Sequence, residues 1–215
     1  MIPIIPTTTY EGPHVEFAAI MTFLERAAHR QGWSRGPQML YRLQQPPAEV
    51  IGEMRVIEYT AIGHALNTDL GKTPEQALGT LAAMFESPLA ILALGMMDPE
   101  DSEPPNAHVF IGEAWHNEDI EDITAFRAGG GDPNKIADLP RTVMARYCIG
   151  VLDGDAILTA YRRQDTDELR WIPSEIVLQA VNDQNAELTR NLMRLHKAHV
   201  AACNRLRGET SNDRN

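Results

Sequence analysis

The stretch of residues 141–163 constrains the fold of this chain more than any other part of the sequence. Two runs of strand-favouring residues flank an Asp-Gly dipeptide at 153–154, and Asp-Gly is the preferred centre of a two-residue type I′ turn. The pattern therefore predicts a β-hairpin in which Gly154 has a positive φ and Arg146 lies opposite Tyr161.

A second turn, "QDTDE", and a short strand-like run, "LRWI", extend the hairpin to a three-stranded meander over residues 142–172. Hydrophobic periodicity predicts further elements along the chain. The strands lie at about 38–43 and 107–116, and the helices at about 14–29, 74–85 and 174–206. The expected fold class is α+β, with an antiparallel sheet, flanking helices and a long C-terminal helix.

The chain is expected to form one main domain with two terminal extensions, since 215 residues suit a single domain. Three prolines and a glycine interrupt the first 13 residues, which therefore resemble an arm. The predicted parts are an N-terminal arm (1–13), an α+β domain (14–172), a long C-terminal helix (173–207) and a disordered tail (208–215).

A phosphate-binding loop is suggested at first by Gly-Lys-Thr at 71–73. Such a loop needs a glycine five positions before its Gly-Lys pair, so that backbone amides can wrap the phosphates. That position holds Leu66. Thr73, Pro74 and Gln76 instead match the N-cap, N1 and N3 positions of a helix start. The sequence therefore predicts a capped helix rather than a phosphate-binding loop.

The predicted C-terminal helix carries a narrow apolar stripe at alternating steps of three and four. This 3.5-residue repeat is the signature of a coiled coil. Its members are Leu178, Val181, Asn185, Leu188, Leu192, Leu195, His199, Ala202 and Leu206. A helix over 174–206 would be about 50 Å long, which is more than a domain of this size covers. We therefore expect a parallel homodimer in which Asn185 meets its own copy. The alternative is that the stripe docks on the chain's own sheet.

The net charge of −11 is concentrated in one part of the chain. Residues 98–122, the acidic segment, contain nine acidic side chains and no Lys or Arg, whereas the rest holds 21 acids against 19 bases. The acidic segment argues against direct nucleic-acid binding, which needs a basic surface. A basic protein partner, a cation or plain solubility fits it better.

The cysteine content and the apolar runs indicate a cytoplasmic protein. Cys148 and Cys203 are far apart in sequence, which argues against a disulfide framework and for a reducing compartment. The start of the chain lacks the basic and apolar pattern of a signal peptide. The longest apolar run, "PLAILALGMM", has ten residues and is too short to cross a bilayer.

Glu113 is the most informative acid because it falls on an otherwise apolar face of the strand at 107–116. A buried carboxylate needs a partner or a raised pKa, and Arg146 of the hairpin is the expected partner in a structural ion pair. The alternative is an anionic-ligand site, since arginine presents a planar fork to carboxylates and phosphates. That site would be formed by Glu113, Arg146, Tyr161 and Arg163.

Three histidines are weak candidates for metal ligands. His116 is followed by acidic residues at 118–122, but this run lacks the spacing of a calcium-binding EF-hand loop. His196 and His199 precede Cys203 on the predicted last helix. The first and last of these three are about 10 Å apart along the helix axis. We therefore predict no metal site, no cofactor and no catalytic residue.

The stretch "QGWSRGPQMLYRL" at residues 31–43 resembles the opening of uncharacterised proteins of actinobacteria and their phages. In those proteins a helix ends in Gly-Trp, a proline follows, and a short strand of the Leu-Tyr type comes next. The later "EAW" strand and the arginine-bearing hairpin are similar to such proteins too. The resemblance implies an actinobacterial or phage source, but it supplies no activity and no site residues. Gly36 stands where such proteins more often have another proline.

These observations favour a non-enzymatic accessory protein that self-associates and presents the acidic segment to a partner. The alternative hypothesis is a small-ligand-binding protein or an enzyme that uses the Arg146 side of the hairpin. A structure in which that side is open to solvent would favour the alternative.

Overall fold

The computed structural model describes residues 13–33, 38–45, 49–51, 54–56, 59–66, 73–90, 103–117, 125–126, 129–153, 156–182 and 186–212. The helices are α1 (Pro13–His29), α2 (Pro74–Glu86), α3 (Ser174–Asn182) and α4 (Glu187–Asn212), with a 3₁₀ helix at Pro133–Asp138. The strands are β1 (Met39–Gln44), β2 (Glu49–Ile51), β3 (Met54–Val56), β4 (Thr60–Ala65), β5 (Ala107–Asn117), β6 (Thr142–Leu152), β7 (Ala156–Arg163) and β8 (Leu169–Ile172).

Six of these strands form one antiparallel sheet in the order β4-β1-β5-β6-β7-β8. The predicted meander is the run β6, β7 and β8, in which each strand pairs with the next. β1 pairs with both β4 and β5, and β2 and β3 form a separate two-stranded hairpin. The predicted α+β class and antiparallel sheet are therefore confirmed.

Helices cover both faces of the six-stranded sheet. The side chains buried between α1 and one face, here called the α1 face, include Phe17, Met21, Leu24, Val109, Ile111, Cys148 and Leu158. Those buried beneath α2, α3 and α4 on the other face, here called the α4 face, include Leu78, Phe110, Ile149, Val151, Val177, Leu192 and Leu195. A sheet covered on both sides has no solvated face, so polar side chains on its central strands are enclosed.

The start of α2 confirms the predicted capping box. The Thr73 hydroxyl oxygen accepts from the Gln76 backbone N–H at 3.4 Å, and Gln76 Oε1 accepts from the Thr73 backbone N–H at 3.1 Å. Pro74 follows the N-cap, at a position where its missing N–H costs no helical hydrogen bond. Local sequence is therefore enough to determine where this helix begins.

The β6–β7 hairpin differs by one residue from the predicted register. Arg146 pairs with Arg162 rather than with Tyr161, because three residues connect the strands instead of two. The predicted positive φ of Gly154 falls outside the described residues. A shift of one residue turns every β7 side chain to the opposite face of the sheet.

The predicted long C-terminal helix is confirmed as α4, which has 26 residues, but the prediction that it runs unbroken over residues 173–207 is wrong. The segment forms two helices, α3 and α4, and Ala186 between them is not helical. Asn185, the expected register-setting residue of a dimer, lies outside the described residues. The sequence from residue 174 onward therefore folds back on the domain in two pieces.

The two ends of the described chain are helical. α1 begins at Pro13, so one residue of the predicted arm (1–13) is described and residues 1–12 are not. α4 continues to Asn212, so the predicted disordered tail (208–215) begins as helix. Within the described ranges, no helix is both long enough and apolar enough to cross a membrane.

The apolar stripe of the last helix docks on the chain's own core. Leu192, Leu195 and Ala202 are at most 1% exposed, and they belong to clusters that include α2, the sheet and Ala90. These contacts lie within one copy of the chain. The predicted coiled-coil seam is therefore wrong, and a homodimer needs a different surface.

Gly150→Ala should destabilise the protein, because α1 closes over this point of β6. A Cβ atom at Gly150 would lie 2.6 Å from both Phe17 Cζ and Met21 Sδ, and both side chains are fully buried. Overpacking of this kind lowers the free energy of unfolding by about 1–3 kcal/mol, which urea denaturation measures. Gly208→Ala on α4 is the control, since its Cβ would meet no atom within 4 Å and alanine favours helix. Unchanged stability of Gly150→Ala would contradict this packing.

Candidate functional site

Glu113 and Arg146 form the predicted ion pair between β5 and β6. They are cross-strand partners, with Arg146 Nη2 2.5 Å from Glu113 Oε1, and the Arg146 and Glu113 side chains are 4% and 11% exposed. Arg146 also donates to the Gly32 carbonyl oxygen at 2.6 Å, and its guanidinium lies 4.7 Å from the centre of the Trp33 ring. The predicted ion pair is therefore confirmed, and it ties the residues that follow α1 to the sheet.

A second buried ion pair joins Glu25 of α1 to Arg162 of β7, and the sequence patterns above did not predict it. Nε and Nη2 of Arg162 donate to the two Glu25 carboxylate oxygens, each at 2.8 Å, and Glu25 is fully buried. The hydrogen bonds to Glu25 raise the pKa of Arg162. Glu25 follows Phe17 and Met21 at helical spacing on the buried side of α1. An acid in that position is the sequence signal that could have revealed the pair.

The residues of the predicted anionic-ligand site do not meet. Because of the register shift, Arg146 and Glu113 lie on the α1 face, whereas Tyr161 and Arg163 lie on the α4 face. Arg163 pairs with Asp165 through contacts of 2.9 and 2.6 Å. The sheet separates the two halves of the set, so these four residues do not form one site.

Tyr161 belongs instead to an aromatic cluster with His116 and Tyr147. The rings of His116 and Tyr161 stack with their centroids 4.6 Å apart, and His116 Nδ1 lies 2.7 Å from the Tyr147 hydroxyl. Burial, with a smaller contribution from Tyr161, raises the pKa of Tyr147. The Tyr147 hydroxyl therefore stays protonated and can donate to His116 Nδ1. In the part of the chain that the structure describes, no three His, Cys, Asp or Glu side chains are placed to hold a metal ion.

His196 and His199, the other two metal candidates, meet His108 of β5 beneath α4. All three residues are at most 5% exposed. His108 Nδ1 lies 3.1 Å from His196 Nδ1, and His108 Nε2 lies 3.3 Å from His199 Nδ1. At the outer end of the row, His196 Nε2 lies 3.1 Å from Asp153 Oδ1. We call this hydrogen-bonded row of four side chains the histidine relay.

One arrangement of protons on neutral rings satisfies every contact of the histidine relay. The Asp153 carboxylate accepts from His196 Nε2–H, which leaves His196 Nδ1 to accept from His108 Nδ1–H. His108 Nε2 then accepts from His199 Nδ1–H. His199 Nε2 is buried and has no hydrogen-bond partner among the residues described. The row therefore ends inside the protein in an unprotonated ring nitrogen.

The surroundings of His108 and His199 favour their neutral forms. Burial lowers the pKa of His108 well below its usual range, and the neighbouring His199, His196 and Arg42 lower it further. Burial, together with Arg42 and His196, lowers the pKa of His199 to about 4. A proton added to the relay would place another positive charge near the buried Arg42 guanidinium. Acid therefore works against the packing of α4 on the sheet.

Only two of the four members of the histidine relay, His196 and His199, could be recognised from the sequence. The helical spacing of His196 and His199 marked them as neighbours, but His108 precedes them by 88 and 91 residues. Its position beside Phe110 on an enclosed strand is the signal that could have found it, because a buried polar side chain needs a partner. Cys203 takes no part, since it lies in a separate apolar cluster.

Comparison with known proteins gives no match among family models, curated proteins or solved structures. The chemistry available to this chain therefore has to be judged from its own side chains. Burial raises the pKa of Cys148, and it raises that of Cys203 to about 11. Both thiols stay protonated at neutral pH, so neither is suited to nucleophilic chemistry.

Replacing only Arg146 of the Glu113–Arg146 pair should lower the free energy of unfolding strongly, because the remaining charge stays enclosed. Arg146→Leu leaves a carboxylate enclosed without its partner, at a cost of about 3–5 kcal/mol. The double variant with Glu113→Leu should recover part of this loss. A double-mutant cycle of urea unfolding should then give a coupling energy of about 1–3 kcal/mol. The exposed Glu168–Arg170 pair is the control and should show no measurable coupling. Additive effects of the two buried substitutions would contradict the pairing.

Protein stability should fall as the pH is lowered from about 7 to 5, in part because of the histidine relay. The pKa of His199 is about 4 in the folded protein, against the ordinary 6.5. Between these values the unfolded state binds more protons than the folded state. The stability that is fully present above pH 6.5 is therefore lost as the pH falls toward 4. His199→Gln should reduce the slope of unfolding free energy against pH by up to about 1.4 kcal/mol per pH unit.

Leu195→Ala is the control for this pH dependence, because it removes buried apolar surface from the same helix without removing a titrating group. It should lower the unfolding free energy by a similar amount at every pH. If His199→Gln left the slope of unfolding free energy against pH unchanged, His199 would not be a neutral buried ring in the folded protein.

Proposed function

We propose that this chain is a non-enzymatic interaction protein that self-associates and offers its acidic segment to a basic protein surface. The observation that carries the proposal is that the buried ionisable groups bind one another. Glu113 with Arg146, and Glu25 with Arg162, are ion pairs enclosed beneath α1. The histidine relay ends at His199 in the protein interior, and at its outer end the Asp153 carboxylate is held by His196. A catalytic acid, base or nucleophile has to reach a substrate in a cleft, and these groups are committed elsewhere.

The charge of the acidic segment supports a protein partner. Glu103 and Glu113 are the acids of this segment that the structure describes, and they pair with Arg207 and Arg146. The other seven have no Lys or Arg within the segment to neutralise them. A segment with this excess of acidic residues attracts a basic protein surface and repels nucleic acid.

A cytoplasmic setting is part of the proposal. Cys148 and Cys203 are free and buried, which suits a reducing compartment. The resemblance to proteins of actinobacteria and their phages adds an accessory role in such a genome. The proposal includes no metal and no cofactor.

Light scattering at tens of micromolar protein tests self-association. The expected result is a dimer with about twice the monomer mass of 23.9 kDa, and a monomer at this concentration would contradict the proposal.

A thermal-shift screen against inorganic phosphate, nucleotides and divalent metals tests the non-enzymatic part. No change in melting temperature is expected, whereas a rise of several degrees with one of them would favour a ligand site.

A further inference from the structure

An open groove lies on the exposed side of α4, beside α3 and the end of α2. Its volume is about 540 Å³. Its lining residues are Glu86, Val181, Arg190, Met193, Arg194, Lys197 and Ala198. We call it the α4 groove. It combines an apolar floor with three cationic side chains against one carboxylate.

The cationic side chains of the α4 groove differ in their ion pairs. Arg194 pairs with Glu86, its Nε lying 2.7 Å from Glu86 Oε1. Arg190 differs, because its Nη1 is buried and has no hydrogen-bond partner among the described residues. A guanidinium carries five N–H donors in one plane and favours a carboxylate. Glu86, the one carboxylate of the lining, is taken by Arg194, so the positive charge of Arg190 is left to attract an acidic group that enters the groove.

The chain itself contains a sequence of complementary chemistry. Residues 118–123 read Glu-Asp-Ile-Glu-Asp-Ile, so pairs of carboxylates alternate with isoleucine at the end of the acidic segment. α4, by contrast, carries five Lys or Arg residues against two Glu. Acidic and basic side chains are therefore concentrated in two different parts of the same chain.

We propose that the α4 groove binds residues 118–123 of a second copy of this chain, which rests on the self-association proposed above and gives it a surface. The acidic side chains bind Arg190 and Lys197, and Ile120 and Ile123 cover the apolar floor. Each copy offers one groove and one acidic sequence, so a two-fold dimer contains two such contacts. An acidic, isoleucine-bearing segment matches both parts of the lining, whereas a small inorganic anion matches only the cations.

Charge reversal tests this contact in the full chain. One variant carries Arg190→Glu and Lys197→Glu, and the other carries Glu118→Lys and Glu121→Lys. Like charges meet in each variant alone, so its dimer dissociation constant, measured by light scattering, should rise on the order of 100-fold. An equimolar mixture should associate as tightly as the parent, because every reversed groove then meets a reversed segment.

The control is Ala201→Glu with Asn204→Glu, which adds negative charge to the exposed surface of α4 outside the groove and should leave the dimer intact. A dimeric parent whose reversed variants stay dimeric would overturn the α4 groove contact and leave self-association standing. Reversed variants that become monomeric but do not recombine would show that 118–123 is not the occupant. A monomeric parent would overturn the contact and self-association together.

A peptide covers the case in which a reversed variant does not fold. A synthetic peptide of residues 115–125, added in excess to the parent protein, should compete for the α4 groove and shift the mass from dimer to monomer. The same peptide with lysine at 118 and 121 should leave the dimer unchanged. Equal effects of the two peptides, or no effect of either, would overturn the proposal.

Discussion

The enclosure of the sheet on both faces is the constraint on which the rest of this structure depends. Arg146 and Arg162 face each other across β6 and β7 beneath α1, where two unpaired like charges would be strongly destabilising. Glu113 neutralises one from the neighbouring strand, and Glu25 neutralises the other from the helix. The second pair therefore does two things at once: it removes a buried charge and it fixes α1 on the sheet.

On the α4 face, enclosed polar side chains are satisfied by hydrogen bonds between the histidine rings of the relay. His108 uses both ring nitrogens within the relay, and the row reaches solvent at Asp153, whose side chain is 53% exposed. His199 also stacks on Phe85, with ring centroids 4.0 Å apart. Because the rings must stay uncharged near the buried Arg42, α4 is attached in a way that acid weakens. The two faces thus satisfy their polar groups by different means, with ion pairs under α1 and with hydrogen-bonded histidine rings under α4.

Features that depend on a few adjacent residues could be predicted from the sequence, and features that depend on distant contacts could not. The capping box of α2 and the order of the meander strands are of the first kind. The hairpin register is of the second kind. Asp-Gly at 153–154 favours a two-residue turn, but the observed register places Leu158 and Ala160 under α1, where both are 2% exposed. Burial on two sides outweighs turn preference, because a one-residue shift moves a whole strand face. Glu113 with Arg146 was predictable since both lie on recognisable strands, whereas Glu25 and His108 find their partners only after the layers assemble.

The apolar stripe on the last helix shows what a sequence repeat can predict and what it cannot. A 3.5-residue repeat specifies a face that must be buried, but not the surface that buries it. Here α2 and the sheet take that face within one copy, which leaves the basic, partly apolar side of α4 exposed. In a chain with a net charge of −11, the proposed meeting of two copies therefore depends on attraction between unlike charges rather than on an apolar seam. Exposed charges are screened beyond about 8 Å at physiological ionic strength, so association by this route weakens as salt is added, whereas an apolar seam does not weaken in that way.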